Sequence, residues 1–157
     1  MTNKDREGFE SLDAWQKSRD FANAIYREVI PQLPVEEKFN LADQLRRASV
    51  SVPANIAEGY GRFYYQSNVQ FCYFARGSAE EVISHLILAH DQGFISDSKF
   101  FNLRDKGTAL VQLINGYISY LKRAKQGENE PGSPRYLKDE SSYYLDEIDV
   151  KRVTNNG

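Results

Sequence analysis

Apolar residues recur along this chain in steps of three and four, the spacing that gathers them on one face of an α-helix. The cleanest run is Cys72, Ala75, Ala79, Val82, Leu86 and Ala89, which alternates the two steps without a break. A second run is Leu41, Leu45, Ala48, Val52 and Ile56, and a third is Leu103, Gly107, Leu110, Ile114, Tyr117 and Leu121. Before them, Trp15, Ala22, Ile25 and Val29, joined by Phe21, carry helical spacing more loosely. No stretch alternates with period two for long enough to predict a strand. The pattern predicts four helices, at about 11–30, 36–59, 67–92 and 97–126.

Punctuation residues sharpen these limits. Ser11 or Asp13 is expected to cap the first helix, and Pro31 with Pro34 to end it. Gly59 and Gly61 are expected to stop the second. Ser67 followed by Gln70 reads as a capping box for the third, and Gly93 then Phe94 as its left-handed end. Ser96 or Asp97 suits the fourth helix start, and Lys122, Arg123 and Lys125 suit its negative end. Short connections make sequential helices antiparallel. The expected fold is all-α: an up-down-up-down antiparallel four-helix bundle over residues 1–126. From Gly127 the chain turns rich in Gly, Pro and Ser and loses any stripe, so 127–157 is expected to be a hinge and a flexible acidic tail. Within it, Tyr143, Tyr144, Leu145 and Ile148 form one alternative short helix.

The segment "SVPANIAEGYGR", residues 51–62, places a proline inside the second helix. Pro53 removes one backbone hydrogen bond and predicts a kink near Ser49, with Ser49 or Ser51 offering a hydroxyl to the disturbed turn. Asn55 needs a partner if buried, and Glu58 with Arg62 stand at i,i+4. Counting outward from the loop centres sets Gly77, Ser78 and Ala79 level with Ala48, Ser49 and Ser51. The same count puts Gly107 beside Ile83 and Gly116 beside Phe74, so these glycines are expected to serve close packing. "GYGR" lacks the preceding strand and the spacing of a phosphate-binding loop.

Composition adds bounds rather than an activity. Of the 157 residues 41% are hydrophobic and 27% charged, as in an ordinary globular domain. No apolar run is long enough for a membrane span, and the first ten residues lack the core of a secretion signal. The one cysteine, Cys72, has no internal partner, which points to a reducing cytoplasm. The net charge is −2; residues 127–157 hold 4 Lys+Arg against 7 Asp+Glu, leaving 16 against 15 in the bundle. Such a chain has no bulk basic excess for nucleic acid.

Candidate chemistry is sparse. His85 and His90 fall on different faces of one helix, and no second helix supplies a matching ligand pair, so no metal or other cofactor is expected. Cys72 sits on the core stripe, and no catalytic residue is nominated. Aromatics interleave with Arg62 in "GRFYYQSNVQFCYF", which fits either a subunit interface or a base-stacking surface. Phe71, Phe74, Ile83 and Ile87 add apolar surface to the third helix beyond its main stripe, as an interface would.

Two motifs carry a resemblance. "QLRRASVSVPANIAEGYGR" and "FARGSAEE" resemble the bacterial four-helix-bundle family first met as reading frames in intervening sequences of 23S rRNA genes. Arg46, Arg47, Ala48, Asn55, Ile56, Ala57, Glu58, Gly59 and Arg62 carry the first motif, and Ala75, Gly77, Ser78 and Glu81 the second. "FYYQ" after Arg62 replaces the serine-lysine cap common there. The resemblance implies a ring-shaped homopentamer. It also implies kinship with the accessory protein of diversity-generating retroelements, a basic pentamer that binds nucleic acid. The resulting expectation is a non-enzymatic, homo-oligomeric interaction protein with another protein as partner. The alternative is a nucleic-acid accessory that binds RNA or DNA weakly through Arg46, Arg47, Arg62, Lys122, Arg123 and Lys125.

Overall fold

The structure, a computed structural model, describes residues 7–128. The alternative helix at Tyr143 to Ile148 and all of the expected tail beyond Glu128 lie outside the described residues. Four α-helices make up the fold within the unit Met1–Gln126: α1 (Asp13–Ala24), α2 (Leu41–Gly61), α3 (Tyr65–Asp91) and α4 (Asp97–Ala124). Among the described residues there is no strand, and no helix is long and apolar enough to cross a membrane.

The core is what the periodicity dictates. Leu45, Val52 and Ile56 from α2, Cys72, Ala75, Ala79, Val82, Leu86 and Ala89 from α3, and Leu103 and Ile114 from α4 are wholly buried. Along α1 and the turn that follows it the buried line is Ala14, Ser18, Phe21, Ile25 and Val29, so Trp15 stands half-buried at its rim. The buried Ser18 hydroxyl donates to the Trp15 carbonyl at 2.7 Å, which lets a polar residue occupy a core position.

Specific contacts fix how the helices face one another. Ser51 meets Ser78 and Gly59 meets Asn68 between α2 and α3. Ile83 meets Gly107, and Arg76 meets Asn115, between α3 and α4. Phe21 meets Gly107, and Lys99 Nζ donates to the Glu28 carbonyl at 3.0 Å, tying α1 to α4. In each set, numbers rise along one helix as they fall along the other.

Several helix ends differ from the sequence expectation. The first helix does not run uniformly to residue 30: Ile25–Val29 widens into a π-turn and Ile30–Gln32 tightens into a 3-10 turn before Pro34. Neither Ser11 nor Asp13 caps α1; the cap position is Leu12, and the Ser11 hydroxyl donates back to Gly8 instead. The second helix begins at Leu41 rather than 36. Residues Val35–Phe39 form a separate 3-10 segment, and Val35 and Phe39 are 77% and 85% exposed, so no core contact draws them into the helix. The Glu37 carboxylate then accepts from the Leu41 N–H at 3.1 Å, capping α2 from outside it.

The Ser67–Gln70 capping box does not form. α3 starts two residues earlier, and its first N–H, from Tyr65, donates to the Gln126 carbonyl at 3.0 Å. Ser96 is the cap of α4, accepting from the Lys99 N–H at 3.3 Å, and Gly93 has the expected positive φ of 73°. The Phe94 N–H donates to the Ala89 carbonyl at 2.9 Å across that turn.

Candidate functional site

The motif residues of the second and third helices gather along one seam, where α2 meets α3. α2 runs through Pro53 unbroken. The Ser49 hydroxyl donates to the Arg46 carbonyl at 3.1 Å rather than capping a restarted helix. Asn55 is half-buried and turns its amide onto Ser51, donating to the carbonyl at 2.8 Å and the hydroxyl at 2.9 Å. Ser78 donates to the Ser51 hydroxyl at 3.0 Å, closing a polar link between the helices. Glu58 and Arg62 pair at 2.7 Å as their spacing predicts, and the guanidinium lies 5.2 Å from the Phe71 ring centre. Arg47 pairs in the same way with Asp43, at 2.6 Å, and that bond raises its pKa.

Gly59 does not stop α2. It is buried inside the helix, where a Cβ would stand 2.7 Å from Asn68 Oδ1 and 3.0 Å from the Asn68 carbonyl oxygen. The helix ends at Gly61, the other expected stop, and the chain turns away at Phe63, whose φ is +60°. Asn68 is buried, accepts from the Cys72 thiol at 3.6 Å and donates to the Tyr117 hydroxyl at 3.4 Å. Burial pushes the Cys72 thiol up to about 12 and raises Tyr117 as well, so both stay neutral near pH 7. A thiol held so far from ionisation is no nucleophile.

The other glycines divide. Gly107 packs as expected, with a Cβ position 2.9 Å from Ile83 Cγ1 and 3.0 Å from Phe21 Cζ. Gly77 and Gly116 do not: both are exposed, and a Cβ on either would meet nothing within 4 Å. The level of Gly77 was right, since its neighbour Ser78 reaches Ser51, but the helix turns Gly77 outward.

The six proposed phosphate contacts fall into two groups. Arg62 precedes the α3 start, which the Tyr65–Gln126 bond ties to the end of α4, where Lys122, Arg123 and Lys125 lie. Arg46 and Arg47 stand 16 and 15 residues back along α2, about 24 Å away at 1.5 Å per residue. Two cations missing from that set, Arg76 and Arg104, line the α3–α4 seam. Arg76 donates to Asn115 at 2.8 Å and lies 5.0 Å from the Tyr73 ring centre, which Lys122 also approaches, at 5.4 Å. Arg104 lies 5.6 Å and 5.3 Å from the ring centres of Phe100 and Phe101. Only antiparallel packing brings residues near 76 and 122 together, so spacing within one helix could not have revealed them.

Phe71, Phe74, Ile83 and Ile87 do not form one surplus face. Phe71 and Phe74 meet edge-on beside α2, whereas Ile83 packs on Gly107 of α4. The histidines are separately engaged: His85 approaches Glu81 at 3.4 Å, and His90 pairs with Asp97 at 2.7 Å while stacking on Phe100. Among the described residues no His, Cys, Asp and Glu side chains group to hold a metal ion.

Against families of known sequence, residues 10–116 match the model described as 23S rRNA-intervening sequence protein. The chain belongs to that family. The intervening-sequence fold extends to a solved structure from Bacteroides thetaiotaomicron, described as a protein of unknown function from the S23 ribosomal protein family. It is 24% identical, covers 67% of this chain and 97% of its own, and superposes with a TM-score of 0.62, a likeness of fold. No curated protein matches this intervening-sequence family member. Neither description names a reaction, a ligand or a partner.

Proposed function

We propose that this protein is a non-enzymatic interaction module of the cytoplasm, an up-down-up-down bundle that assembles with copies of itself into a closed ring, a pentamer by family resemblance. The exposed mid-helix glycines carry this reading. Glycine inside a helix costs about 1 kcal/mol relative to alanine, and neither Gly77 nor Gly116 repays that among the described residues, where a Cβ would meet nothing within 4 Å. A neighbouring helix brought close against the backbone supplies the missing reason. Beside Gly77, α2 carries a second apolar stripe, Val50, Ala54, Ala57 and Gly61, in steps of four, three and four on the side away from its core. Phe74 and Leu88 of α3 are 51% and 49% exposed. A bundle helix needs one apolar face; a second marks contact with something else. Gly77 and Gly116 lie on different helices, which suits the unlike faces of a head-to-tail ring.

Light scattering on a sizing column tests this. The wild-type chain should run at a multiple of 18.0 kDa, and Val50→Glu with Gly77→Arg should run at that single-chain mass while staying folded. A wild-type monomer at micromolar concentration overturns the reading. The nucleic-acid alternative has weaker support, since Arg47 and Arg62 are already held by their own carboxylates and the six cations do not form one patch.

A further inference from the structure

We infer that the outer α3–α4 seam is a docking surface for an amphipathic helix of a partner protein, acidic toward both ends and apolar in its middle. This goes beyond self-association and uses other residues. On α3 the stripe runs Tyr73, Arg76, Glu80, Ile83 and Ile87, in steps of three and four. On α4, Arg104, Thr108, Val111 and Asn115 follow the same rule, and Lys122 lies seven residues, about two turns, further on. The contacts of Ile83 with Gly107 and of Arg76 with Asn115 bring the two stripes alongside each other.

The seam has cations at its two ends and an apolar floor between. At one end Arg76 and Lys122 share the Tyr73 ring, and at the other Arg104 lies over Phe100 and Phe101. None of these three cations has a carboxylate within ion-pair distance among the described residues, although Glu80 stands one turn from Arg76 on the same helix. Ring faces fix their direction while leaving their charge uncancelled. Between them lie Ile83, half-buried on Gly107, and the partly buried Val111, with Glu80 beside them, while Ile87, 42% exposed, stands level with Arg104.

From Arg104 to the level of Arg76 is 11 residues of α4, and from there to Lys122 another 7, or about 16 and 10 Å. Three and two whole turns separate matching acids on a partner helix lying along the seam. Such a helix would set apolar side chains on the isoleucines and carboxylates on the cations, the helix-in-groove mode of recognition. A nucleic-acid strand fits less well. Its phosphates repeat more closely, and an isoleucine floor gives its bases nothing to stack on.

The probe is a stapled helical peptide of about 20 residues, with glutamates spaced by 11 and 7 and leucines on the stripe between them. Fluorescence anisotropy with the full chain should show binding at least tenfold tighter than for the same peptide carrying lysines. Arg76→Gln with Lys122→Gln, and separately Ile87→Ser, should each weaken binding by roughly tenfold. Glu80→Gln, which removes the one carboxylate on these stripes, should leave it equal or tighter. Unchanged thermal midpoints would show that these surface variants are folded. Equal binding of the acidic and lysine peptides overturns the inference, as does indifference to the double variant. Tighter binding of a single-stranded RNA of similar length through the same residues would assign the seam to nucleic acid instead. A fall in assembly mass for the double variant would assign it to a second copy.

Discussion

Along the α2 side of α3, charge is cancelled where it stands: Arg47 sits on Asp43 and Arg62 on Glu58, each a single turn away. Along the α4 side, Arg76, Arg104 and Lys122 rest on ring faces and an amide. The first seam is held by close approach and neutral polar links, through Gly59 under Asn68 and Ser51 with Ser78. The second is held by apolar packing at Gly107 and keeps its positive charge available. Surface ion pairs add little stability, so the contrast concerns what each surface presents, while glycine contacts set how firmly each seam is held.

The largest effect should come from adding one methyl group to the first seam. Gly59→Ala drives a Cβ against a backbone carbonyl and the root of Phe71, neither of which can retreat. Urea unfolding should show a loss of about 2 kcal/mol. The matching Gly107→Ala meets side-chain atoms only, Cγ1 and Cδ1 of Ile83 and Cζ of Phe21, and side-chain shifts together with better helix propensity should keep its cost below that of Gly59→Ala, at about 1 kcal/mol. Equal losses would mean that the two seams are equally rigid. Asn68→Leu should cost roughly 1–2 kcal/mol, because the Cys72 thiol and Tyr117 hydroxyl lose their buried partner.

Smaller effects sharpen the contrast. Gly77→Ala should raise the stability of the dissociated chain by about 0.5–1 kcal/mol, with assembly weakened in the same sample. Arg62→Ala should cost only a few tenths of a kcal/mol from its pair, and 1 M salt should erase most of that difference.

The core could be read from the sequence almost residue by residue, because burial follows helical period: Cys72, Ala75, Ala79, Val82, Leu86 and Ala89 are all at 0% exposure. The chain belongs to the family its two motifs resembled. Helix ends were less legible, since the Tyr65 N–H is satisfied by a carbonyl 61 residues away and Leu41 by a side chain outside the helix. No local rule sees either. The glycines show the limit most clearly. Gly59, Gly77 and Gly107 look alike in sequence, yet one underlies a buried amide, one faces outward and one seats an isoleucine. A position's level along a helix pair follows from loop centres, but its angle about the axis needs every turn in between. Arg76 and Arg104 escaped notice for a related reason: their company is aromatic and comes partly from another helix.

Cys72 turns the buried centre into a clock. Its sulfur is fully enclosed at the start of the α3 stripe, and its proton is held up to about 12. A thiol reagent can therefore react only when the helices part, so the labelling rate at neutral pH reads the opening of the bundle itself. The sign with pH also follows. The unfolded thiol ionises near 9.0 and the folded one near 12, so stability is intact below about pH 9 and falls as pH climbs between those values. Cys72→Ala should remove that part of the alkaline decline. Because this chain has one sulfhydryl, every modified molecule records a single event: one excursion of one bundle from its closed form.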